Sequence, residues 1–253
     1  MNITSIKTKK IVVGDTLEKI INTYVTAVDE GDILVITSKI VSICEGRVVK
    51  NDGTVDKQKL IEQEADYYFG NNLTKRYGIT LTIKLEPVST LIASAGIDES
   101  NGNGYFILWP KDPFGTADTL WQTLKKKFKL KNLGILIVDS NIVPLRWGTR
   151  GLAIAWCGFE ELKNYIGTAD LFGRKLRVTK QNIADDLASA ANLVMGEGAE
   201  QTPLAVISDV PNLTFFSRPP TNEEIDSMKI SIQDDIYAPL LEGVRWKKGG
   251  TQG

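Results

Sequence analysis

Two short, almost wholly apolar runs constrain this chain most: Ile33 to Thr37 (ILVIT) and Leu133 to Val138 (LGILIV). Apolar runs of this length, without polar alternation, read as strands buried on both faces. Each delivers polar groups at its end: Thr37, Ser38 and Lys39 after the first, Asp139 and Ser140 after the second. An acidic residue at the C-terminal end of a buried strand is a recurrent metal or phosphate position in α/β proteins. A carboxylate there also costs desolvation unless it is paired, hydrogen-bonded or metal-bound. After the first run, Ile40 to Ile43 can open a helix with Ser38 as its cap. Hydroxyls and a lysine at a helix N-terminus suit an anion, because free N–H groups and the helix dipole point there. No glycine-rich loop accompanies them, so these residues alone read as an ordinary capped helix.

The remaining elements can be placed around these strands. Residues 3–13 read as a strand ended by Gly14-Asp15, and Asp15 with Glu18 reads as a capping box opening a helix that runs to Asp29. Residues 56–69 read as a helix with Leu60, Ile61, Ala65 and Tyr68 on its buried stripe. Residues 79–85 alternate as a half-exposed strand. Thr116 to Phe128 carries Ala117, Leu120, Trp121, Leu124 and Phe128 at helical spacing, a core stripe, and Lys125 to Lys127 complement the helix C-terminus. Residues 152–156 and 204–208 read as strands. Residues 181–195 read as a helix whose alanines allow close packing. From Pro219 the chain is polar, with a short helix at 221–228, and is expected to wrap the body or a partner.

Between these elements lies ASAGIDESNGNGYFILWPKDP, residues 93–113. Asp98, Glu99, Ser100 and Asn101 are consecutive, with Gly96, Gly102 and Gly104 around them and a strand-like run, Tyr105 to Trp109, behind. Two carboxylates, a hydroxyl and an amide on a loop that a strand can aim suit a hard cation and its phosphate ligand. The same residues also make an ordinary polar turn. A further glycine-paired loop, Met195 to Glu200 (MGEGAE), presents carboxylates before the strand at 204–208. Arg146 and Arg150 are candidate anion donors, or members of surface salt bridges.

Composition narrows the chemistry. The chain of 253 residues contains no histidine, which excludes Ser-His-Asp and Cys-His machinery and His general bases within one chain. Cys44 and Cys157 lie far apart outside any CxxC pattern, and read as small buried apolar residues rather than zinc ligands, a disulfide or nucleophiles. Oxygen ligands favour Mg²⁺ or Mn²⁺. With 30 basic and 31 acidic residues the net charge is 30 − 31 = −1, so no basic field invites nucleic acid or an anionic membrane. No apolar run approaches the roughly 20 residues of a membrane span, and the N-terminus lacks a signal-peptide pattern. A cytoplasmic protein is expected. Together the loops point to a divalent cation bridging nucleotide phosphates, in phosphoryl transfer or ATP/GTP-driven ligation. Neither a Walker loop nor a GxGxxG fingerprint is present.

Several blocks stand in the order of a known family: GDILVITSKIVSICEGRVV (31–49), AGIDESNGNG and LWPKDP (95–113), LGILIVDSNIVPLRWGTRGLAIAWCG (133–158), DLFGRKLRVT (170–179) and ADDLASAANLVMGEGAEQTP (184–203). The chain resembles the coenzyme F-420 γ-glutamyl ligase family, with its nearest likeness to the branch named for a folate-metabolism γ-glutamate ligase. The resemblance covers about residues 1–210, read as the ligase domain, and leaves 211–253 as an extension packing on the body or a partner. It implies an α+β fold of two intertwined parts and a homodimer. It implies Asp98, Asp139, Ser140 and Glu197 as ligands of Mg²⁺ or Mn²⁺, the three acidic residues being catalytic. Ser38, Lys39 and Asn101 fall where nucleotide contacts are made, and the 194–201 loop, with Val194, Gly196, Gly198 and Ala199, matches the segment that wraps the nucleotide. Family chemistry passes the γ-phosphate of GTP (or ATP) to a substrate carboxylate, and the amine of L-glutamate attacks the acyl phosphate. The acceptor is a folate-type or deazaflavin-type precursor.

Three departures stand out. Ile43 and Cys44 occupy places where the family commonly has Lys and Ala. The segment 141–146 lacks the family's Gly-Arg, and 163–167 lacks its Asp-Arg-Gly. The last two changes bear on the acceptor and favour a substrate other than the deazaflavin. Loss of the position-43 lysine motivates a second reading, a nucleotide-binding homologue without ligase activity, against which the retained Asp98, Asn101, Asp139 and Glu197 argue.

Overall fold

Both apolar runs lie side by side in the middle of one sheet in the computed structural model, which describes residues 1–70 and 76–250. The chain opens with β1 (Asn2–Ile6), α1 (Leu17–Tyr24), β2 (Ile33–Thr37), α2 (Ser38–Glu45), β3 (Val48–Lys50), α3 (Lys57–Glu64) and β4 (Tyr67–Phe69). There follow β5 (Leu81–Lys84), β6 (Thr90–Ala93), β7 (Tyr105–Ile107), α4 (Pro113–Phe128), β8 (Gly134–Ile142) and β9 (Thr149–Cys157). The last part holds β10 (Leu162–Asn164), β11 (Lys180–Asn182), α5 (Ile183–Met195), β12 (Leu204–Ser208), α6 (Asn222–Ser227), α7 (Ala238–Leu241) and β13 (Lys247–Lys248). The class is α+β.

The main sheet has the order β1-β12-β2-β8-β9, with β2 and β8 parallel and every other neighbour antiparallel. Ile33 to Ile36 and Ile135 to Ile137 are fully buried, as two-faced strands require. Helix α4 lies against β8 and β9, and α5 against β9, β12 and β1. A second, antiparallel sheet, β13-β4-β5-β6, stands with a separate small core of Leu60, Ile61, Ala65, Ala95, Ile97, Phe106 and Leu108. The C-terminal stretch lies on the rest of the chain. The Glu160 N–H donates to the Thr214 carbonyl and the Phe216 N–H to that of Gly158, both at 2.9 Å, and β13 pairs with β4. Among the described residues no helix is long and apolar enough to cross a membrane.

Several boundaries differ from the sequence expectation. The first strand stops at Ile6 rather than residue 13. Asp15 does not cap α1: its carboxylate takes Lys9 Nζ at 2.5 Å and the Val12 N–H at 3.0 Å, so Thr16 caps instead and the helix ends at Tyr24. Helix α3 is capped by Asp56 but ends at Glu64, because Tyr67 to Phe69 gain a ladder against β5. Ser38 is the first helical residue of α2, with Thr37 at the cap position and no side-chain cap bond. Helix α4 starts early, with Asp112 capping Gly115 at 2.9 Å and Pro113 in the first turn. Asn182 caps α5, which therefore begins at Ile183. Both cysteines are free thiols, and burial pushes Cys44 up to about 11 and Cys157 to about 12, so neither is a nucleophile at neutral pH.

Candidate active site

Parallel pairing of the two apolar strands builds the site. Thr37 stands opposite Val138 as the last pair of the parallel ladder, so the Ser38-Lys39 start of α2 lies beside Asp139. Asp139 is not at a strand end as the sequence suggested: β8 runs on to Ile142 because residues 139–142 keep their pairing with β9 after β2 has ended, with Asp139 opposite Leu152. The central loop reaches the same place. Its base is closed by a reciprocal pair, the Asp98 N–H to the Ile107 carbonyl at 2.9 Å and the Ile107 N–H to that of Asp98 at 2.8 Å. Above it, Asn101, Asn103 and Gly104 take positive φ and fold the loop into a tight pair of turns. Such turns favour Asn and Gly because neither is much strained there.

Lys39 bridges the two parts. Its Nζ lies 2.5 Å from Asp98 Oδ2 and donates to the Ser100 carbonyl at 3.1 Å and to Ser100 Oγ at 3.2 Å. Asp98 Oδ1 accepts the Ser100 N–H at 2.7 Å and its hydroxyl at 2.9 Å. Burial opposes the charge on Asp98, but the Lys39 ammonium and the Ser100 donors outweigh it and hold its pKa below the ordinary value.

Asp139 has the opposite balance. Burial pushes its pKa up to about 6, against the pull of two donors, the Trp109 indole N–H on Oδ2 and the Ser140 N–H on Oδ1 at 2.8 Å. Asp98 adds to the rise and Lys39 opposes it, so all three groups share one electrostatic neighbourhood. Strand alternation turns the Ser140 hydroxyl to the other face of β8, and Ser140 meets the Asp139 carboxylate through its backbone N–H.

The 194–201 loop meets the central loop at one point: Asn101 Nδ2 donates to the Gly198 carbonyl at 2.9 Å. Gly196 ends α5 with φ 78°, and a Cβ there would fall 2.5 Å from Glu200 Cδ. Glu200 itself accepts the Gly198 N–H at 2.8 Å, while Val194 and Ala199 are exposed. Glu197 accepts from Thr149 Oγ1 at 2.9 Å and Asn192 Nδ2 at 2.7 Å. It is thus tied to β9 and α5 rather than to the two aspartates. Glu99 is likewise tied elsewhere, to Asn51 and Lys57, each at 3.0 Å. Arg146 is exposed, and Arg150 acts electrostatically on Asp185. Ile43 lines an apolar hollow of about 250 Å³ with Val12, Val13 and the Gly102-Asn103 turn.

Among the described residues no three His, Cys, Asp or Glu side chains converge as a metal cage. Two carboxylates in one neighbourhood are nevertheless the set Mg²⁺ commonly uses, since it keeps several waters and completes its shell with substrate phosphates. Asp98 and Asp139 fit that donor chemistry, and Lys39 adds a cation for an anion. Trp109 is the residue that sequence reasoning missed. It reads as the last member of an apolar run, and only the fold aims its N–H at Asp139.

The fold and site define an α+β protein with a hard-oxygen and ammonium centre drawn from a helix start, a strand and a loop beside a mixed sheet. The model of one family, F420-0:Gamma-glutamyl ligase, matches residues 5–209. The Coenzyme F420:L-glutamate ligase of Methanosarcina mazei is 34% identical, over 92% of this chain and 91% of its own length. The proteins of that name from Archaeoglobus fulgidus and Methanocaldococcus jannaschii are each 32% identical, over 77% and 71% of this chain and 81% and 76% of their own. The chain belongs to the F420-0:γ-glutamyl ligase family.

Proposed function

We propose that this protein is a nucleotide-driven γ-glutamyl ligase that joins L-glutamate to a carboxylate of a deazaflavin-type acceptor. The observation that carries the reading is the convergence of Lys39, Asp98 and Asp139 where the parallel pairing of β2 with β8 ends. Its relatives' names supply the acceptor and the amino acid.

In this reading Asp98 and Asp139 hold Mg²⁺ or Mn²⁺, which when bound offsets the charge of the nucleotide phosphates. Lys39 and the free N–H groups at the start of α2 bind those phosphates, helped by the helix dipole. The acceptor carboxylate attacks the γ-phosphorus of GTP or ATP, the bond to the leaving diphosphate breaks, and an acyl phosphate forms. The glutamate amine then attacks the acyl carbon, expelling phosphate, and the amide is left once the nitrogen loses a proton. Asn101 and the Gly198 backbone, already joined, close one side of the nucleotide site. Glu197 would have to leave Thr149 and Asn192 to join the cation, so we assign it to the nucleotide-wrapping loop and not to the resting ligand pair.

A homodimer is part of the proposal. Leu145 and Trp147 on one loop, and Leu171 and Phe172 on another, are each more than nine-tenths exposed. Leu145 and Trp147 sit on the turn that follows β8, directly beyond the Asp139 strand. A second copy is the occupant that the resemblance implies.

The function is tested by phosphate release and product mass with Mg²⁺ or Mn²⁺, L-glutamate and GTP or ATP. The deazaflavin precursor and a reduced folate are supplied in separate reactions. The folate arm is motivated by the departures at 141–146 and 163–167. Glutamate-mass additions to the deazaflavin are expected. Additions to the folate alone would move the acceptor to a pterin, and nucleotide binding without turnover on either would leave the non-catalytic homologue.

A further inference from the structure

Trp109 is 3% exposed, and a buried indole N–H needs an acceptor. The one it takes is Asp139 Oδ2, on a strand thirty residues further along the chain. Separate contacts fix the ring for this bond. Gly96 leaves it room, since a Cβ there would lie 2.3 Å from Nε1. Arg47 Nε donates to the Trp109 carbonyl at 3.1 Å. Lys84 stands 5.5 Å from the ring centroid and is itself anchored by the Glu64 carbonyl at 2.7 Å. The ring is therefore held through its backbone, one edge and one face while its donor points at one carboxylate oxygen.

We propose that Trp109 is the positioning residue for the cation ligand Asp139. This rests on the reading of Asp139 given above. A carboxylate has about four acceptor directions; the indole takes one at Oδ2 and the Ser140 N–H takes one at Oδ1, which leaves a direction on each oxygen for a hard cation. The indole is uncharged and only donates, so it orients the carboxylate without neutralising it. Lys39 acts differently on Asp98, because an ammonium competes with a metal for the same charge. Hydrogen-bonding partners behind a ligating carboxylate typically change metal affinity by about 10–100-fold.

The test reads binding rather than turnover. The chain has 5 tryptophans, hence five indole N–H resonances, and the one lost in Trp109→Phe identifies Trp109. In the wild-type protein that resonance should move when Mg²⁺ is added in the presence of GDP or ADP. Trp109→Phe keeps an aromatic ring but no donor. It should bind Mn²⁺, titrated by electron paramagnetic resonance, about tenfold or more weakly, with nucleotide affinity in a chelator unchanged. Wild-type Mn²⁺ affinity in a folded Trp109→Phe protein overturns the proposal and leaves the ligase reading standing. If that variant does not fold, the wild-type resonance decides, assigned instead by its response to Asp139→Asn, and its indifference to saturating Mg²⁺ overturns the proposal. A wild-type protein that binds no divalent cation overturns both the proposal and the cation site beneath it.

Discussion

At Asp139 burial and function pull in opposite directions. Its pKa is raised to about 6, so the folded state holds the proton more tightly than the unfolded chain does, and ionisation of Asp139 at higher pH costs stability. Asp139→Asn keeps an acceptor for Trp109 but removes the charge. It should lose all glutamate addition, read by product mass, while its Tm at pH 8 without ligands is no lower than that of the wild type. Asp139→Ala should also lose activity with its circular dichroism spectrum retained. Glu161 offers a pH test away from the site. It is 4% exposed, burial raises its pKa, and the nearby charges of Glu224 and Glu160 raise it further. For a group with a raised folded pKa, stability is fully present below the unfolded value and is lost as pH rises through the folded one. Glu161→Gln should therefore flatten the fall of Tm on raising the pH through and above the ordinary glutamate range, and raise Tm at neutral pH. An unchanged Tm–pH profile would show that Glu161 is not the group responsible.

The elements that carry the site depend on close backbone approach. Gly151 in β9 lies against α5 so tightly that a Cβ there would fall 2.3 Å from the Ala188 backbone, and Ser189 Oγ donates to the Gly151 carbonyl at 3.2 Å. Because that contact is to backbone, no flexible side chain can give way. Gly151→Ala should push α5 from the sheet and cost about 2 kcal/mol or more, measured by urea unfolding. Helix α5 leads directly into the loop whose Gly198 carbonyl meets Asn101. The same substitution should therefore weaken nucleotide binding, read by calorimetry at a temperature where the protein is folded. Wild-type stability would mean that α5 is not seated by this glycine.

For the whole molecule the exposed apolar side chains of the 145–147 and 171–172 loops motivate the prediction. Wild-type protein should sediment at twice the 27.9 kDa chain mass, and Trp147→Glu combined with Phe172→Glu should sediment at the single mass. A wild-type monomer would remove the dimer from the proposal. The C-terminal stretch is bonded to the second sheet through β13 against β4, and to the end of β9 through Phe216 against Gly158. Removing residues 211–253 should therefore lower Tm, by scanning calorimetry, even though the family match ends at 209.

What local pattern encodes was readable from the residues alone. Apolar runs located β2 and β8, helical spacing located α4 and α5, and the absence of histidine restricted the chemistry to oxygen and ammonium groups. Caps and boundaries were less legible, because a side chain such as Asp15 can choose a tertiary partner, Lys9, over its own helix. The site's pairings lay beyond local pattern altogether. Lys39 meets Asp98 across 59 residues, Asn101 meets Gly198 across 97, and Glu197 turns to Thr149 across 48. Strand register and loop trajectory set such distances, and neither is a property of any one segment. The sequence by itself determined which polar groups follow the buried apolar runs; the tertiary structure decided that β8 continues past Asp139 and which of those groups face one another, because only parallel pairing of β2 with β8 sets the start of α2 beside Asp139.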